Sequence, residues 1–182
     1  MTSSVNLIKE IAQKRFESSK GSHDWDHTLR VYRLCEHIGK AEAVDMEVLL
    51  IAALLHDIGR ECPECFNGNM CHAKKGVEIA RSIIRPLPLD KKQKQNILHS
   101  IRSHRFRSTC LPKTCEAQVL FDADKLDAIG AVGVARAYLF AGEIGAMLHN
   151  PDIDIEKAEP YSRQDTGFRE FKVKLSRIKE RI

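Results

Sequence analysis

Ala53-Leu54-Leu55-His56-Asp57-Ile58-Gly59-Arg60 joins an apolar run to two adjacent metal-capable side chains. The run, residues 48–55, reads as a buried helix. Aspartate is among the residues least often buried without a partner, and an unpaired buried charge is costly. A buried helix therefore has little reason to finish on His56 and Asp57 unless something binds them. Gly59 is a natural stop, because glycine takes φ > 0 after a last helical turn. Two readings stay open on these residues alone. His56 and Asp57 are ligands of an ion at the mouth of a helical core, or they end a helix with His56 on a carbonyl and Asp57 in water.

Outward from that stretch the chain reads as helices. Asp45 is a good N-cap for a helix over residues 46–58, and Glu47 puts a negative charge in its first turn. Before it, Asp24 caps a helix reaching residue 40, on which His27 shares a face with Val31, Leu34, Cys35 and Ile38. A histidine on such a face is commonly a hydrogen-bonded core residue. Here it is the natural third partner for His56 and Asp57. His23 lies in the loop just before, facing either solvent or a substrate. Residues 4–20 form an amphipathic stripe, with Ser3 or Ser4 as cap and Gly21 as stop.

On the other side, residues 61–71 form a loop with Cys62, Cys65 and Cys71. Cys62-x-x-Cys65 resembles half of a zinc or iron–sulfur site, and Cys110 with Cys115 offers a second pair. A structural zinc on these four, or unrelated thiols in two surface loops, are the alternatives. Residues 72–85 and 91–105 read as helices, the second capped by Asp90 and carrying His99 and His104. Five residues apart, those two histidines do not share a face, and His99 is the one expected to be exposed.

Residues 115–128 form an apolar helix interrupted by Asp122, Asp124 and Asp127. Asp124 follows Leu120 by four residues and so lies on the apolar face. Residues 129–142 are rich in small residues, and each helical glycine costs about 1 kcal/mol against alanine, which points to close packing. Residues 143–166 read as a long loop or flap, and 167–182 as a last helix that ends abruptly. Residues 1–142 are expected to form the domain core, with 143–182 packed on the same domain. The fold class is all-α, a compact single-domain bundle, with no internal repeat and no strand-period segment.

Composition narrows the function classes. At 182 residues the chain can bury a core without disulfides. Its net charge of +4 suits a small acidic substrate, and Lys91, Lys92 and Lys94 sit on what reads as a solvated face, so nucleic acid is not expected as a partner. No apolar run approaches about 18 residues, and residues 1–20 lack a leader pattern, so a cytoplasmic protein with no membrane partner is expected. The abrupt last helix leaves a homo-oligomer open.

His27, His56, Asp57 and Asp124 make two imidazoles and two carboxylates, a set that suits Mn, Fe, Co, Ni, Zn or Mg. Water on such an ion becomes a nucleophile near neutral pH, with Asp57 and Lys125 at the centre of the chemistry. Lys125, Arg30, Lys75 and Arg105 are available by position to neutralise phosphoryl charge. A metal-dependent phosphohydrolase follows.

His27-x-x-Arg30-Val31, Leu55-His56-Asp57-Ile58-Gly59 and the stretch from Asp122 to Ala131 resemble the HD-domain metal-dependent phosphohydrolase superfamily. The likeness runs over residues 22–136, and the last stretch is similar to small bacterial and archaeal HD hydrolases, some of which act on nucleoside triphosphates. The resemblance implies an all-helical HD-type bundle and a phosphorylated substrate, a nucleotide or related phosphoester. It selects Asp124, just before Lys125-Leu126, as ligand, with Asp122 as fallback and Asp127 as a supporting residue. It places His72 and His104 where two-metal members carry extra histidines, as ligands of a second ion bridged by Asp57 or as holders of phosphate beside a single ion; a single ion is the favoured form. It implies Glu61 as the carboxylate that orients water. A non-catalytic sensor of metal or nucleotide, working through the cysteine loop, is the alternative function.

Overall fold

The structure is a computed structural model; it describes residues 2–17, 21–60, 72–106, 109–149, 151–160, 162–180 and 182. Among them it is all-helical, as expected: α1 (Ser3–Phe16), α2 (Trp25–Gly39), α3 (Met46–Leu55), α4 (His72–Ile84), α5 (Lys91–Ser103), α6 (Cys115–Leu126), α7 (Gly130–Glu143), α8 (Gly167–Val173) and a 3-10 helix at Leu175–Glu180. None of these helices is long and apolar enough to cross a membrane.

Contacts divide the chain into two units, Met1–Ser19 with His23–Asp124, and Lys20–Ser22 with Lys125–Ile182. The second unit's long segment begins at Lys125, inside the last turn of α6. In the first unit α3 is the hub. Every residue from Val48 to Leu55 is buried, and α1, α2 and α5 pack against it, with α4 on α5. Each fully buried Leu or Ile there, such as Leu49, Ile51 and Leu54, contributes about 1.5–3 kcal/mol. In the second unit α7 packs with α8, and α8 with the 3-10 helix.

The aspartate caps stand where the sequence puts them. Asp24 accepts from the His27 amide, Asp45 from those of Glu47 and Val48, and Asp90 closes a capping box with Gln93. Several ends differ from expectation. α1 is capped by Thr2 rather than Ser3 or Ser4 and stops at Phe16. α3 stops at Leu55, and the chain then tightens into two turns, Ile58 N to Leu55 O and Arg60 N to Asp57 O. Gly59 is not in the left-handed region. Its role is close approach: a Cβ there would strike the His72 carbonyl and lie 2.5 Å from Gly76 N. Only glycine lets the turn after α3 press backbone to backbone on the start of α4.

Candidate metal centre

The turn after α3 delivers Asp57 into a row of imidazoles. His23, His27, His56, His104 and His72 follow one another with ring centroids 5.2–5.6 Å apart. His27 rises from α2, His56 caps α3, His72 opens α4, His104 caps α5, and Asp124 stands on α6. All belong to the first contact unit.

Asp57 faces both ways. Its Oδ2 lies 3.6 Å from His27 Nε2 and 3.6 Å from His56 Nε2. Its Oδ1 lies 3.4 Å from His104 Nε2 and 3.7 Å from His72 Nε2. His27 Nε2 is also 3.3 Å from His56 Nε2 and 3.6 Å from Asp124 Oδ1. Most of these separations are too long for strong hydrogen bonds. Two ligands each about 2.1 Å from one ion, at right to tetrahedral angles, lie roughly 3.0–3.4 Å apart. The atoms group into two triads, His27–His56–Asp124 and Asp57–His72–His104.

Protonation supports the same use. His56 Nδ1 lies 2.8 Å from the Ala53 carbonyl, and His104 Nδ1 lies 2.7 Å from the Ile101 carbonyl. A carbonyl only accepts, so both Nδ1 atoms carry the proton and both Nε2 atoms present a lone pair to the site. Burial pushes His56 down to about 4, against the pull of Asp57, and burial with the Arg60 charge pushes His72 down to about 2. Burial alone would raise the Asp57 carboxyl; Arg60, His56, His104 and His27 together outweigh it and hold the group well below the usual carboxylate range. Asp57 Oδ1 and His72 Nε2 are buried without a hydrogen-bond partner among the described residues. Imidazoles that burial holds low at His56 and His72, an ionised carboxylate, and the orphaned Asp57 Oδ1 and His72 Nε2 fit a divalent cation. The site meets solvent at Asp124, His72 and Arg60, whose side chains are 16, 11 and 31% exposed.

The expected ligands therefore come together: His27, His56, Asp57 and Asp124, with His72 and His104 completing a second group. His23 stacks edge-on against His27. Arg105 is close enough for its charge to lower His72. Arg30 is half-buried on α2, and Lys75 bonds Glu78 on α4 at 3.0 Å. Lys125 is buried in the second unit. Glu61, Cys62, Cys65 and Cys71 lie outside the described residues. Cys110 and Cys115 are half-buried and belong to neither triad. His99 is half-buried rather than exposed, because its Nε2 accepts from the Lys113 amide at 2.9 Å.

Arg60 is the site residue to which the sequence assigned no role. Its Nε is 2.6 Å from Asp57 Oδ2, off the N–H direction, so the contact is a charge pairing. The i,i+3 spacing from Asp57 in the turn was the available signal.

Residues 24–129 match the family model of the HD domain. The uncharacterised protein YpgQ of Bacillus subtilis is 30% identical over 178 residues, 95% of this chain and 78% of YpgQ. Its crystal structure in complex with ADP gives a TM-score of 0.68 at 28% identity, covering 97% of this chain and 79% of that one. A protein described as a predicted HD-superfamily hydrolase, from an uncultured Thermotogales bacterium, gives 0.63 at 34% identity over 74% of each chain. Ribonuclease Y of Chloroflexus aurantiacus is 28% identical over 90% of this chain, which is 27% of its own length. The matched segment holds both triads, on an HD-superfamily hydrolase fold able to hold a divalent metal: this chain belongs to the HD-domain family.

Proposed function

We propose that the chain is a metal-dependent phosphohydrolase of a nucleotide or related small phosphoester. The observation that carries this reading is Asp57, an ionised carboxylate with one oxygen toward each of two ligand triads. His27, His56, Asp57 and Asp124 would hold one ion. The second triad supports a second ion sharing Asp57, in place of the single ion favoured from sequence. When bound, a divalent ion supplies Lewis-acid polarisation of a phosphoryl oxygen and acidifies water.

The chain's own residues do the rest. His56 and His104 are fixed in the Nε2 lone-pair form by their carbonyl partners, so they need no reorganisation to act as ligands. Arg60, with the histidines around Asp57, keeps that carboxylate ionised and, being partly exposed, offers its remaining N–H groups to phosphate oxygens. Arg105, beside His72, adds positive charge at the same end. His23 against His27 covers the other end. Arg30, Lys75 and Lys125 are proposed as further phosphate contacts, and Glu61 is assigned to water by the resemblance alone. A structural zinc on Cys62, Cys65, Cys110 and Cys115 is a proposal resting on spacing alone. The YpgQ complex with ADP supports a nucleotide as the substrate class.

The test is a hydrolysis screen on metal-stripped protein, with Mn, Co, Ni, Zn or Mg added singly. Nucleoside mono-, di- and triphosphates and cyclic nucleotides are offered, and released phosphate and pyrophosphate are read separately. Turnover only with added metal is the expected result. Bound metal without turnover on any of them would overturn the enzyme reading and leave a sensor module.

A further inference from the structure

The chain passes between the two contact units at Ser19–Lys20, at Ser22–His23 and at Asp124–Lys125. The last two crossings adjoin proposed ligands. His27 follows the Ser22–His23 crossing by one short turn and a cap, and Asp124 is itself the last residue before the Asp124–Lys125 crossing. Within the second unit, one side chain joins these two crossings. Arg136, on α7, donates Nε to the Ser22 carbonyl at 2.8 Å. Its Nη1 donates to Asp127 Oδ2 at 2.9 Å and to the Asp127 carbonyl at 3.3 Å. Ser22 and Asp127 are buried, 3 and 5% exposed.

The last residue of the same helix makes a second fastening. Glu143 Oε1 accepts from the Ser22 amide at 2.5 Å, and Oε2 accepts from the Ser22 hydroxyl at 3.3 Å. Gly21 permits it. Its φ is 101°, and a Cβ at Gly21 would run into the Glu143 carboxylate. Ser22 is thus held at its amide, hydroxyl and carbonyl by two side chains of one helix, and the arginine of that pair also holds Asp127.

We infer that Arg136 and Glu143 are positioning residues that fasten to α7 the two chain crossings next to His27 and Asp124, so that the segments carrying these residues start from a fixed base. The bonds are charge-assisted, and the planar guanidinium serves Ser22 and Asp127 at once, which a lysine ammonium does not reproduce. This role rests on the reading of His27 and Asp124 as metal ligands. It differs from plain stabilisation of the second unit, because it transmits to metal affinity.

The experiment titrates metal-stripped full-length protein with Mn²⁺ by calorimetry, well below the melting temperature, beside thermal unfolding of the same samples. R136A should weaken Mn²⁺ binding about ten-fold or more, the scale on which outer partners of metal ligands act. R136K should recover part of that loss, and E143Q should show a smaller loss of the same kind. With nucleoside triphosphate as substrate, kcat should fall more than KM rises. D165N serves as comparison, because it breaks the buried Asp165–Arg169 pair elsewhere in the second unit. It should lower the melting temperature and leave Mn²⁺ affinity unchanged. If R136A does not fold, E143Q and R136K carry the same test. Mn²⁺ affinity unchanged in the folded variants, or lowered as much by D165N, would overturn the positioning role alone. Wild-type protein that binds no divalent ion would overturn the proposed function and this role with it.

Discussion

The two triads that meet at Asp57 use the same chemistry on different supports. His27 is the third residue of α2, Asp124 is the third from the end of α6, and His56 caps α3, in which every residue from Val48 to Leu55 is buried. His72 is the first residue of α4, and His104 is the first beyond α5. Two members of the first triad lie inside helical turns and the third caps the core hub. The second joins a first residue, a cap and Asp57 in the turn after α3, and its His72 comes near Asp57 because Gly59 lets α4 approach. Ligands inside helical turns are held more closely than ligands on ends or loops. We expect the first triad to keep its ion when the second loses it.

The largest effect should come from the first triad. H27A or H56A should abolish metal-dependent turnover while helical circular dichroism persists. Turnover retained in either variant would break the comparison at its stronger side. The double variant H72A/H104A should keep half of the metal, read by elemental analysis after gel filtration. Loss of all metal would mean that the two triads act as one. G59A should cost about 1–3 kcal/mol by overpacking backbone against backbone, and should lower metal content through the second triad only. Denaturant unfolding and metal analysis of the same sample separate the two effects.

The smallest effect concerns the frame common to both. Glu116, at the start of α6, accepts from the Asp45 amide and from Asn96 Nδ2, both at 2.8 Å, and so ties α6 to the start of α3 and the middle of α5. Burial would raise its carboxyl, but these bonds outweigh it and lower it. A depressed folded pKa contributes stability that is present above the unfolded value and lost as pH falls through the folded one. E116Q should therefore be less stable than wild type by about 1 kcal/mol at neutral pH. The gap should close below about pH 4.3, as the wild-type carboxyl protonates. A gap that persists in acid would show that shape rather than charge sets the effect.

Much of this was legible in the sequence because it is local. An aspartate before an apolar run caps a helix through its own nearest amides, so Asp24, Asp45 and Asp90 could be read one residue at a time. His56-Asp57 at the end of a buried run announces a site by the cost of burying it empty. The second triad was harder. His104 lies past the end of α5, where face arithmetic no longer applies, and His99 finds a partner in Lys113, fourteen residues away. Gly59 is constrained by a neighbouring backbone and not by its own φ, and no local pattern shows that. Arg136 and Ser22 are 114 residues apart, and no periodicity announces such a pair.

One measurement tests the central claim, that Asp57 serves two metal-holding triads at once. Metal-stripped wild type and D57A are titrated with Mn²⁺ side by side, and bound ions are counted. The structure predicts two ions per wild-type chain and loss of both sites in D57A over the same concentration range. A single ion in wild type, or undiminished binding in D57A, would contradict it.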